Sequence, residues 1–263
     1  MSMLNDLALE PAAHIPPPIP SAAHEEATSE DCLARAGVCR LLAGVFVEEP
    51  GPAFIDALRR PEALASLEEA GLRFDSDFTE PETAALCEAL AIEYSTLFAA
   101  SGGFPPVESV RLTGRYQQEP LFAVKETYRR AGFEMGKGRF FVFEDQLGVE
   151  LTFVAELLER CAAALAAGEQ ARYRATEREL KRFWTVHLGK WVRGYARLVM
   201  RAAMHSFYRE MARLLAEFAE SEIAALRLRI EDQDRGRLVV PKSEVKVEFN
   251  PDEPVCGACP ASR

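Results

Sequence analysis

The chain is 263 residues long, 48% hydrophobic and 27% charged, with 16 Phe, 6 Tyr and 2 Trp, enough apolar mass for one substantial core. Its 41 acidic and 31 basic residues leave a net charge of −10, which repels nucleic acid and anionic lipid and favours a basic partner. No apolar run approaches the roughly 20 residues that a bilayer crossing needs, so no membrane insertion is expected.

Residues 1–28 are rich in Pro and Ala, include Pro16-Pro17-Pro18, and carry no period, which predicts a flexible arm. The arm has no basic n-region and no apolar h-region, so neither a secretory nor a twin-arginine leader is expected and the protein is placed in the cytoplasm. Helical patterning begins near Glu30 and stops at Pro50-Gly51-Pro52; two short helices follow, over roughly 53–60 and 61–70. A longer helix opens at Thr79 or Glu80 and carries Leu86, Leu90, Tyr94 and Leu97 on one face. Residues 104–115, with Pro105-Pro106, read as a loop, and 117–131 as a further helix closed by Gly132. From Glu144 the residues Leu147, Leu151, Val154, Leu158, Cys161 and Leu165 step by three and four, the clearest amphipathic stripe in the chain, ending at Gly168. Three more helices are expected over 169–186, 188–202 and 205–230, and no strand pair before residue 237. The fold class is therefore all-α, a single bundle of about eight to ten helices spanning 29–232 between the arm and an extended tail, 233–263.

Two segments carry chemistry. In the first, Tyr94-Ser-Thr-Leu97-Phe98 is followed by Pro105-Pro106-Val-Glu108-Ser109: a helix ends, prolines stiffen the backbone, and a carboxylate and a hydroxyl follow on a connection. In the second, Glu144-Asp145-Gln146-Leu-Gly-Val-Glu150 opens the long helix, where the acids complement the positive helix end. Glu150 shares a face with Gln146 and lies in an apolar segment, so it needs partners if buried. His187 and His205 are read as helix-end residues, where positive charge is favoured. Phosphate loops, dinucleotide fingerprints, nucleophile elbows and zinc-helix motifs are absent from the sequence, so no enzyme is expected.

The order Tyr94…Leu97-Phe98, Pro105-Pro106…Glu108-Ser109, Tyr128 with Gly132, Glu144 to Glu150, His187-Leu188…Trp191 and Phe207-Tyr208 resembles the TorD/DmsD/NarJ redox-enzyme maturation proteins over roughly residues 30–230. The resemblance implies a non-enzymatic all-helical chaperone. Its partner would be the catalytic subunit of a molybdenum-containing oxidoreductase, held by its twin-arginine signal peptide or in apo form until the cofactor is loaded. It places client binding on Tyr94, Phe98, Pro105, Pro106, Glu108, Ser109, Asp145, Gln146 and Glu150, with Phe143 as a further aromatic wall, and leaves homodimerisation open. Where the family carries His after the Asp, this chain has Gln146, which keeps hydrogen-bonding capacity but no proton chemistry. An acidic site beside an apolar groove suits a peptide that is basic at one end and apolar in its middle.

Six cysteines divide into four on apolar helical stretches (Cys32, Cys39, Cys87, Cys161) and a terminal Cys256-x-x-Cys259. The first four behave as small hydrophobes, which suits a reducing compartment. Cys256 and Cys259 supply two of the four ligands of a structural zinc site, so no cofactor is expected from this chain alone. A metal- or redox-handling role for that pair on a helical scaffold is the alternative function.

Overall fold

Helix boundaries follow the caps. In the computed structural model, which describes residues 2–3, 27–98, 102–135 and 142–241, α1 (Ser29–Val47) opens on Thr28. The Thr28 hydroxyl accepts the Asp31 N–H and the Asp31 carboxylate accepts the Thr28 N–H, a reciprocal box that uses two otherwise orphaned donors. Pro52 and Pro61 start α2 (Pro52–Leu58) and α3 (Pro61–Glu69), where a missing N–H costs little.

The helix expected from Thr79 or Glu80 starts instead at Thr83, as α5 (Thr83–Phe98), and a separate short helix, α4 (Ser76–Thr79), precedes it. Asp77 explains the break: its carboxylate accepts the Ser206 N–H at 2.8 Å and fixes the turn of α4 against a distant helix start. The connection expected over 104–115 also holds a helix, α6 (Glu108–Thr113). Val107 pairs with Gln146 in an antiparallel bridge, the Arg111 N–H then closes on the Val107 carbonyl at 3.0 Å, and Gly114, at φ +81°, ends the turn. After α7 (Glu119–Arg130), the two-residue β2 (Phe133–Glu134) pairs in parallel with β1 (Ser2–Met3), a small exception to the expectation of no strand pairing in this region. The rest is α8 (Leu147–Ala166), α9 (Gln170–Val186), a 3₁₀ turn at Leu188–Lys190, α10 (Val192–Ala202) and α11 (Ser206–Ala225). The two short segments raise the count to eleven α-helices among the described residues. The last helix ends earlier than expected because Arg227 turns to φ +55°.

Packing centres on α1 against α8. The stripe Leu147, Leu151, Val154, Leu158 and Cys161 is buried, and Gly148 permits the close approach. A Cβ there would lie 2.7 Å from Val47 Cβ and 2.9 Å from the Ala43 carbonyl oxygen. Trp184, Trp191, Tyr195 and Tyr208 are fully buried around this pair, and the bidentate Arg35–Glu222 ion pair ties α1 to α11.

Residues 226–237 return across α10 as a strap. Arg193 donates to the Ile230 carbonyl, Arg197 pairs with Asp232, and Arg201 donates to the Gly236 carbonyl. The strap passes the position expected to begin a separate tail: Asp234 is 0% exposed and accepts from Arg111 Nε at 2.6 Å. That guanidinium also stacks 5.6 Å above the Tyr195 ring. The beginning of the expected tail is thus part of the packed bundle.

Candidate functional site

The two segments singled out by the sequence meet. The Glu108 N–H donates to the Asp145 carbonyl at 2.9 Å, the Ser109 N–H to the Asp145 carboxylate at 2.9 Å, and the Leu147 N–H to the Pro106 carbonyl at 2.8 Å. Pro105 and Pro106 are buried in this junction. Asp145 therefore fastens α6 to the start of α8, where a helix-capping role had been expected of it. The cap belongs to Gln146, whose side-chain oxygen accepts the Gly148 and Val149 N–H groups while its Nε2 donates to the Phe46 carbonyl. Both ends of the Gln146 amide are consumed by the fold, so the hydrogen-bonding capacity expected to face a client faces α1.

The acids are not laid out on the surface. Glu108 is 1%, Asp145 1% and Glu150 0% exposed. Among the described residues, neither carboxyl oxygen of Glu150 has a hydrogen-bond partner, nor do Asp145 Oδ1, Ser109 Oγ or Trp191 Nε1. The Glu150 carboxyl faces that of Glu108 and the Trp191 indole. Two carboxyl groups can hydrogen-bond only when one carries a proton. Burial, then the charges of Glu108 and Asp145, push Glu150 well above the usual carboxylate range. Burial likewise raises Glu108, against the opposing pull of His187, and raises Asp145, against its bonds to Ser109.

His187 is the residue that pattern reading missed. It was expected as a helix-end charge; instead it is 2% exposed, with Nδ1 3.1 Å from Glu108 Oε2 and Nε2 3.4 Å from Thr127 Oγ1. The ring thus bridges Thr127 of α7 and Glu108 of α6, with the Thr127 hydroxyl also 3.0 Å from the Ala123 carbonyl. The available signal was the placing of one polar side chain between Val186 and Leu188 at a helix break, where it must find a buried partner.

Glu108 and His187 open onto a cleft of about 350 Å³. Leu112 and Thr113 of α6, Gln118 to Pro120 and Ala123 at the start of α7, Val186 and Lys190 around the 3₁₀ turn, and Gln233 of the strap complete its lining. The Gln233 N–H donates to the Lys190 carbonyl at 2.7 Å, so the strap forms one wall. Of the residues expected to contact a client, only Glu108 reaches this cleft. Tyr94 and Phe98 instead pack into the core: Tyr94 donates to the Phe46 carbonyl, and the Phe98 ring lies 5.7 Å from Phe46 and 5.6 Å from Tyr208. Phe143 packs 5.4 Å from Tyr116. Cys256 and Cys259 lie outside the described residues, as do residue 1 and residues 4–26 of the arm. No described helix is long and apolar enough to cross a membrane.

The family described as nitrate reductase delta subunit matches residues 62–197, a span containing Glu108, Asp145, Glu150 and His187. Among solved structures, one described as a redox enzyme maturation protein from Archaeoglobus fulgidus aligns at 18% identity over 76% of this chain and 98% of that one, with a TM-score of 0.42. No curated protein matches the chain.

Proposed function

Because the chain belongs to the nitrate reductase delta subunit family of redox-enzyme maturation chaperones, we propose that it holds the catalytic subunit of a molybdenum-containing oxidoreductase by a basic segment seated in the Glu108–His187 cleft. The twin-arginine signal peptide of such a subunit is the segment whose chemistry fits. Glu108 carries the reading: it is 1% exposed yet lines the cleft, and the further carboxyls of Asp145 and Glu150 stand behind it. Glu108, Asp145 and Glu119 on the rim outnumber one imidazole and the half-buried Lys190. A guanidinium brings five donors in a planar fork and can take over the Glu108 carboxylate from His187. Leu112, Pro120, Ala123 and Val186 give the apolar part of the segment a surface. The chain then acts by occupancy: while the segment is held, it is unavailable for export. The test is co-expression of the tagged chain with molybdenum-oxidoreductase catalytic subunits of the same organism, each with and without its twin-arginine segment. Co-purification that depends on the segment is expected. Retention of no subunit in either form would overturn the proposal.

A further inference from the structure

Helix α9 presents Arg174, Arg178 and Arg182 to solvent at successive four-residue steps, and none of the three has an ion-pair or hydrogen-bond partner among the described residues. In a chain of net charge −10 such a row is out of keeping with its surroundings, because Arg172 and Lys181 on the same helix are paired with Glu169 and Glu177. Continuing the step by one turn reaches Val186, 38% exposed, which lines the cleft. The row is therefore a track that runs to the mouth of the proposed client site.

The same molecule shows what such a row does. On α10, Arg193, Arg197 and Arg201 repeat this spacing, and together they hold the strap by the Ile230 carbonyl, the Asp232 carboxylate and, after a turn at Arg235–Gly236, the Gly236 carbonyl. The match is geometric. Four residues of helix rise about 6.0 Å, and two residues of extended chain span about 6.6–6.8 Å, so an extended segment can present an acceptor to each turn, as Ile230 and Asp232 do to Arg193 and Arg197. The occupied row holds an internal strap through one carboxylate and two carbonyls; the row on α9, unpaired among the described residues, leads into a cleft.

We propose that Arg174, Arg178 and Arg182 bind an acidic flank of the client segment, adjoining the basic residue that Glu108 receives. This rests on the cleft reading above and adds a requirement to it: the ligand is bipolar. Arg174 lies twelve residues before Val186, a helical rise of about 18 Å, which an extended chain covers in about five to six residues. The acids thus belong within about six residues of the cleft-bound cation. A row one residue wide, bordered on its helix by the half-buried Glu177 and Glu179, suits a single extended strand of chain better than a broad anionic membrane.

The test uses the full chain and its Arg174→Gln/Arg178→Gln/Arg182→Gln variant, which changes only exposed side chains. Four fluorescent peptides are titrated at low and high salt: a basic–apolar segment with an acidic flank on its N-terminal side, with one on its C-terminal side, with a glutamine flank, and the acidic flank alone. One acid-flanked peptide should bind the wild-type chain about tenfold more tightly than the glutamine-flanked peptide, three exposed pairs each contributing about a factor of two. That advantage should vanish in the variant and at high salt. Equal binding of all flanked peptides would overturn the track while leaving the cleft standing. Binding of the acidic flank alone, lost in the variant, with no advantage from the basic segment, would uphold the track and sink the cleft reading. Binding of the row to vesicles containing anionic lipid, with no preference among the peptides, would overturn the client assignment.

Discussion

Glu150 carries a carboxyl group at 0% exposure beside Glu108, Asp145 and Trp191, with neither oxygen hydrogen-bonded among the described residues. Its raised proton affinity has a thermodynamic sign. The folded state holds its proton to higher pH than the unfolded chain does, so the group's contribution is fully present below the unfolded value, near 4.5, and is lost as pH rises towards the folded one. Glu150→Gln mimics the neutral form. Its melting temperature should therefore gain on wild type as pH is raised from about 4.5, measured by calorimetry in matched buffers; parallel curves would show that Glu150 is ionised and otherwise compensated. Much at this scale was not legible in the sequence. The resemblance grouped Glu108, Asp145 and Glu150 in one site, but sequence pattern says nothing about depth, and all three acids are buried. Gln146 was legible as a hydrogen-bonding residue and not as one whose two ends are spent on α1 and α8. His187 was hidden because its partner Glu108 lies 79 positions away.

The helices themselves were largely written in caps and stripes. Thr28 with Asp31, Pro52, Pro61 and the three–four stripe from Leu147 to Cys161 each act within a few residues, which is why they could be read locally. The exceptions depend on distant contacts. Helix α6 needs the Val107–Gln146 bridge, the break between α4 and α5 needs Ser206, and the strap needs Arg111. The strap is also the element on which stability can be tested most sharply. Asp234→Ala leaves Arg111, 4% exposed, without its carboxylate, a loss of about 3–5 kcal/mol for a broken buried pair. Gly194→Ala would place a Cβ 2.7 Å from the Arg235 and Gly236 nitrogens and press the strap away from α10, at about 1–3 kcal/mol. Because both act on one contact, their combined cost in urea denaturation should fall short of the sum. Full additivity would mean that the strap does not move as a unit.

For the molecule as a whole, the bundle puts its chemistry at the seam where α6, the start of α7, the turn after α9 and the strap converge. Three stretches far apart in sequence thus build one cleft, with buried acids behind it and a row of exposed arginines, unpaired among the described residues, leading to it. The fold class and the pairing of the two signature segments could be read from the sequence; the cleft could not, since Gln118, Lys190 and Gln233 belong to no common motif. The central claim is that Glu108 receives a cation of the client. It is tested most directly by a double-mutant cycle in calorimetry, pairing wild type and Glu108→Gln with a twin-arginine peptide and its glutamine counterpart. Each single change should weaken binding about ten- to a hundredfold, the range for a charge-assisted hydrogen bond, and the double change should cost little more than either alone. Two independent, fully additive losses would contradict the account and place the recognition of the arginines elsewhere.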